Sequence, residues 1–252
     1  MRFFFLPLLF SLSLAGQPDG GYTTEYVWAK SGLSVRAAGT SAAEKTGLLP
    51  FATVVRRTGN AGQQVEITAL KPVSARMDGK TIVSDPYVMN GVFVEIMYDD
   101  GKTGFVYDGY LSRLNPESDP EGYDDFQNWM STQGGASKEI DLRSDKGDYV
   151  RRHAMIQYAN GMTQTSQAFE GGASAVYLIP NASLNDGYLL AERYWAIVNQ
   201  VDAEGKVIED PDVMPVLLKV EQDGALRFIG EMSETVIRQI GDLLVIHASG
   251  GC

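Results

Sequence analysis

The feature that most constrains this chain is its punctuation. Short runs of β-branched and aromatic residues recur along it, and Asp-Gly or Asn-Gly pairs stand between them. Asp78-Gly79, Asn90-Gly91, Asp100-Gly101, Asn160-Gly161, Asp186-Gly187 and Asp223-Gly224 all have this form. Tight hairpins need positive φ at their central residues, and these residue types adopt it at least cost. A chain punctuated in this way is predicted to fold as many short antiparallel strands. In the first half they are expected at Tyr26–Ala29, Leu33–Arg36, Ala52–Val55, Val65–Thr68 and Val92–Tyr98. Strands so short and so spaced imply a small barrel or sandwich.

Asn115 to Gly122 is polar and carries Pro116 and Pro120, which reads as a linker. Its alternating acids resemble a calcium loop only superficially, because Pro120 stands where the sixth-position glycine is required. Beyond it, Tyr123, Phe126, Trp129 and Met130 recur at helical spacing, so a short amphipathic helix is predicted. The remainder is expected to be β-rich: Tyr149–Tyr158, Met162–Phe169, Ala175–Ile179, Tyr188–Val198, Val213–Val220, Ala225–Gly230 and Leu243–His247. Ser233–Gly241 suits either a helix, through Met232, Val236, Ile240 and Leu244, or a strand, through Thr235-Val236-Ile237. The predicted class is all-β with minor α. It would comprise a small barrel over 22–114, a linker over 115–122, and a larger antiparallel domain over 123–252 with one or two short helices.

The first sixteen residues differ from everything after them. Arg2 precedes the apolar run Phe3 to Phe10, and small residues at Ser11, Ser13, Ala15 and Gly16 follow. A basic start, a short apolar run and a small-residue exit predict a secretory signal peptide over 1–16. The run is shorter than the roughly 20 residues that span a bilayer. Gln17 occupies the place where a lipoprotein would carry its acylated Cys, so the expected product is secreted or periplasmic, without stable membrane insertion. Cys252 is the single cysteine, which leaves no internal disulfide.

The four stretches that carry a family resemblance lie within the first half. They are Ala29 to Arg36, Thr46 to Ala52, Gly91 to Ile96, and Asp100 to Leu111. Together they give a Gly-Leu-x-Val-Arg opening and a Gly-aromatic-Val … Tyr-Leu close. In this order and spacing, residues 22–114 resemble the bacterial SH3-like domains of exported and cell-wall proteins. Lys71 to Pro86 is longer than the compact domain needs, and Phe93 stands where the family commonly has Trp. The resemblance implies a small β-barrel whose ligand is a cell-wall (peptidoglycan) peptide or an envelope protein. The second half resembles no family that its residues identify.

Charge divides the chain. Residues 22–115 carry a net +1 and residues 116–252 a net −12, so the acidic half disfavours nucleic acid as a partner. SH3-like domains are often attached to wall hydrolases, yet catalytic signatures are missing. Cys252 ends a glycine tail, His153 and His247 lie in separate segments, and Gly-x-Ser-x-Gly, P-loop and dinucleotide fingerprints are absent. Glu139/Asp141 and Glu209/Asp210/Asp212 sit in polar turn-like stretches where solvated acids are ordinary. His153 follows Arg151-Arg152, either a solvated face pairing with nearby acids or an anion contact. The expectation is therefore a non-enzyme without cofactor or metal.

Strand alternation supplies the candidate surface. If Val27, Leu33, Val35, Val94, Ile96 and Val106 face the barrel interior, then Trp28, Phe93, Phe105 and Tyr107 point away from it. With Arg36 and Glu95 nearby, these rings would form a half-exposed groove for an extended peptide. The competing expectation is that they pack against the second half. A hydrolase in the carboxyl half, or a docking module for a protein complex, are the alternative functions.

Overall fold

The computed structural model describes residues 23–72, 74–77, 80–117, 126–143, 150–195, 217–230 and 232–251. The expected leader over 1–16, the Asp78-Gly79 turn, most of the linker, Tyr123, Glu209, Asp210, Asp212 and Cys252 lie outside these residues.

The first half contributes β1 (Thr24–Val27), β2 (Leu33–Arg36), β3 (Lys45–Leu49), β4 (Val54–Leu70), β5 (Ser74–Met77), β6 (Lys80–Val83), β7 (Tyr87–Tyr98), β8 (Lys102–Tyr107) and β9 (Leu111–Ser112). Seven of these form a curled half-barrel in the order β3-β2-β8-β7-β4-β1-β9, while β5 and β6 pair as a separate hairpin. The second half contributes α1 (Phe126–Gly134), β10 (Ser137–Asp141), β11 (Val150–Tyr158), β12 (Thr163–Phe169), β13 (Gly172–Pro180), α2 (Leu184–Tyr194), β14 (Leu217–Val220), β15 (Leu226–Ile229), β16 (Ser233–Ile240) and β17 (Leu243–Gly251). Its eight strands form one antiparallel sheet, β10-β11-β12-β13-β17-β16-β15-β14. The all-β class with minor α is what the chain adopts.

Turn chemistry predicts several connections well. Asp100 and Gly101 take φ of 53° and 102° between β7 and β8. Gly161 and Gly224 also have positive φ, at the turns before β12 and β15. Elsewhere the structure departs from expectation, each time for a physical reason. Asn90-Gly91 lies inside β7 rather than in a turn. A Cβ on Gly91 would sit 2.6 Å from the Asp108 carboxylate and 2.7 Å from the Tyr107 ring, so this glycine permits close packing instead of reversal. Two expected strands, Ala52–Val55 and Val65–Thr68, are largely the two ends of the 17-residue β4, whose pairing with β7 shifts register three times. Bulges of this kind let one strand bend and continue. The Lys71–Pro86 stretch, longer than the compact domain needs, contains the β5–β6 hairpin.

The most consequential departure is α2. Tyr188–Val198 reads as a strand, yet Leu184–Tyr194 is helical. Ser183 caps it: its hydroxyl accepts from the Asp186 N–H at 3.1 Å, and the Asp186 carboxylate accepts from the Ser183 N–H at 2.7 Å. This reciprocal pair satisfies two backbone donors that a helix start otherwise leaves bare. It also converts Asp186-Gly187 from a hairpin signal into the helix's first turn. Ser233–Gly241 resolves as strand β16, because both its edges are paired, with β15 and β17.

Among the described residues, two apolar clusters organise the fold. The smaller fills the half-barrel and contains all six residues expected there, Val27, Leu33, Val35, Val94, Ile96 and Val106. The larger lies between the halves and joins Trp28, Leu70, Tyr87, Met89, Phe93 and Tyr107 to Trp129, Tyr188, Leu189 and the inner face of the second sheet. Tyr87 and Tyr188 stack across this boundary with centroids 4.5 Å apart. Polar contacts pin its margins. The Tyr87 hydroxyl donates to Asn185 Oδ1 at 2.7 Å, and the Asp85 N–H donates to the Leu218 carbonyl at 2.8 Å.

Candidate functional site

Alternation along β7 and β8 sends Phe93 and Tyr107 out of the half-barrel, as expected, and Trp28 just past the end of β1 joins them, but none of the three meets solvent. Trp28, Phe93 and Tyr107 are 3%, 4% and 4% exposed, sealed in the larger cluster beneath the second half. These three rings therefore follow the competing expectation, packing against the second half rather than standing open as a groove. The physical reason is area: bare rings of this size would leave several hundred Å² of apolar surface wet, and the second half covers it. Trp28 donates its Nε1–H to the Leu114 carbonyl at 2.8 Å, and the Tyr107 hydroxyl donates to the Met89 carbonyl at 2.6 Å, so the polar tips of both rings are satisfied. Phe105 is half-buried against the same cluster. Arg36 is half-buried, with its guanidinium 5.7 Å above the Phe93 ring and its Nη1 donating to the Ala43 carbonyl at 2.6 Å.

Part of this aromatic face is still reached from the seam. Where the Ala29–Ser34 turn faces α2, a cleft of about 380 Å³ is lined by Lys30, Arg36, Phe93, Tyr107, Tyr110 and Glu192. Three of the five sequence-predicted site residues, Arg36, Phe93 and Tyr107, meet there, while Trp28 and Phe105 do not. Lys30 Nζ donates to the backbone carbonyl of Glu192 at 3.1 Å. Burial pushes the Glu192 carboxyl above the ordinary carboxylate range, with Lys30 opposing the shift. Burial also raises both phenols, Tyr107 to about 12, with Asp108 adding to the first and Glu192 to the second. Both hydroxyls therefore remain donors at neutral pH. The cleft places two cations and one reluctant acid over an aromatic floor, which suits a ligand carrying both a carboxylate and an amine.

Lys30, Tyr110 and Glu192 were not read as site residues from sequence. Lys30 and Tyr110 lie within the family-like stretches and could have been found there. Glu192 had no such signal, because its segment reads as a strand.

A second seam cavity, about 430 Å³, is more polar. In it Arg57 binds Glu25 at 2.6 Å and Asp108 at 3.2 Å, and Asp108 also accepts from the Val92 N–H at 2.7 Å. Burial works against the Arg57 charge, but the two carboxylates outweigh it and raise its pKa. This network ties β1, β4 and β7 together around one arginine shared by two carboxylates.

The histidines do not converge. His153 lies on β11 and His247 on β17, with β12 and β13 between them. Arg152 pairs with Glu139 at 2.9 Å and Arg143 with Asp141 at 2.6 Å, which accounts for these acids as surface partners. Among the described residues, no three His, Cys, Asp or Glu gather as a metal-ligand set, and no helix is long and apolar enough to cross a membrane. Compared with known families and proteins, the chain matches no family model, no curated protein and no solved structure.

Proposed function

We propose that this chain is a non-catalytic, exported binding protein of the bacterial envelope, acting in the periplasm or outside the cell. In this reading residues 22–114 act as an SH3-like unit that recognises a cell-wall peptide or an envelope protein. The binding point is the seam cleft rather than a row of open rings. The observation that carries the reading is the meeting of Lys30, Arg36 and Glu192 over Phe93, Tyr107 and Tyr110. Arg36 and Lys30 would take a terminal carboxylate, Glu192 an amine, and the aromatic floor the apolar part of the ligand.

The experiment is calorimetric titration of the purified chain with a soluble wall stem peptide, beside a pull-down on isolated peptidoglycan. Saturable binding weakened by Arg36→Ala and by Glu192→Gln supports the reading. These rim changes are the informative ones, since Trp28→Ala or Tyr107→Ala would hollow the shared core. Binding indifferent to both rim changes removes the cleft from consideration. The burial of three rings between the halves favours one alternative, a docking module within a protein complex. Retention of an envelope protein without any affinity for the stem peptide would select it.

A further inference from the structure

A different cavity lies on the second sheet. Register across β11, β12, β13, β17 and β16 places Ile156, Gln164, Tyr177, Ile246 and Ile237 in one row on one face. Ile156, Ile237 and Ile246 in this row are buried in the larger cluster, and Tyr177 packs against it. One row further on, the same face carries Ala154, Ser166, Ala175, Ala248 and Thr235, and the row after that Arg152, Ala168, Ala173, Gly250 and Ser233. The change from large aliphatic to small side chains opens a trough of about 420 Å³ at the edge of the core. Tyr177, Trp195 and Phe228 wall it. The wall is braced from behind, because Phe126 packs on Tyr177 and Trp195 with centroids 4.8 and 4.5 Å away.

One polar group points to an occupant. Gln164 lines the trough, is only 5% exposed, and its amide oxygen is shut from solvent without a hydrogen-bond partner. A buried acceptor left bare costs stability unless something donates to it. Arg152 is the charged residue along the described lining, and its guanidinium is engaged by Glu139. The charge at the trough is therefore held in a surface ion pair. The trough is lined by an amide, by the hydroxyls of Ser166, Ser233 and Thr235, and by the rings of Tyr177, Trp195 and Phe228.

We propose that this trough binds a neutral oligosaccharide. Sugar hydroxyls both donate and accept, which matches the serine and threonine hydroxyls and, once the Gln164 amide turns toward the trough, its unpartnered oxygen. The apolar ring faces of a sugar suit aromatic walls, and small floor residues let a flat ring lie against the sheet. A fatty chain would leave Gln164 unsatisfied, and an anion would have to compete with Glu139 for Arg152. This site is independent of the seam cleft.

The test is titration of the full chain with N,N′-diacetylchitobiose and with cellobiose, with decanoate as the apolar comparison. Saturable binding of either disaccharide is expected, accompanied by a change in tryptophan fluorescence. Ala175→Leu should abolish it by filling the floor. Gln164→Leu should weaken it about fivefold to tenfold while raising the melting midpoint, because the bare buried amide is removed. Arg36→Ala should leave it unchanged, which separates this site from the seam. If Ala175→Leu does not fold, the Gln164→Leu pair of readouts decides. Absence of saturable sugar binding at millimolar concentration, sugar binding that Gln164→Leu does not weaken, or preferential uptake of decanoate overturns the proposal.

Discussion

Glu192 couples the cleft to pH. Burial raises its carboxyl pKa in the folded chain, so the folded state holds its proton more tightly than the unfolded state does. That contribution to stability is complete below the ordinary value of 4.5 and is lost as pH rises through the folded pKa. Glu192→Gln should therefore melt higher than the parent at pH 8, with the difference closing below pH 4.5; parallel melting curves at both pH values would refute the assignment. A ligand amine beside the carboxylate would pull its pKa back down, so stem-peptide affinity should rise with pH over the same interval. Gly91 is limited by space alone, since its neighbours are a carboxylate and a ring already committed to other contacts. Gly91→Ala should cost about 1–3 kcal/mol in urea unfolding, the ordinary cost of overpacking.

At the scale of elements, α2 and the long strands decide what the cleft can be. α2 brings Tyr188 and Leu189 down onto the aromatic face of the half-barrel and holds Glu192 at its rim. Its start depends on Ser183. Ser183→Ala should remove about 1 kcal/mol of stability, read from the urea midpoint, because the Asp186 N–H and carboxylate lose a shared partner. β4 and β7 run past the half-barrel, and their far ends place Leu70, Tyr87 and Met89 in the core between the halves. Neither feature was legible from local pattern. The α2 segment contains Tyr188, Leu189 and Leu190, an apolar run too short for periodicity to decide, and Asp186-Gly187 is shared by hairpins and capped helices alike. Strands β11, β12, β15 and β17 were legible, since each alternates or is bounded by turn residues.

For the whole molecule, the shared core predicts that the first half cannot stand alone. A fragment of residues 23–117 would uncover Trp28, Tyr87, Met89, Phe93 and Tyr107 at once. It should bind a hydrophobic dye and self-associate more than the full chain does under the same conditions; a monodisperse fragment that ignores the dye would contradict the shared core. The sequence by itself determined sidedness in the unbulged parts of β2, β7 and β8, because side chains alternate with a period of two wherever the backbone is regularly extended. Hence the six interior residues of the half-barrel, and the opposite direction of Trp28, Phe93 and Tyr107, could be read in advance. Whether that second side meets water or protein is not a local property. It was decided by α2, α1 and the second sheet packing over those rings from more than fifteen residues further along the chain. Contacts between segments so far apart are selected by the total apolar area they bury, and no spacing within either segment records that choice.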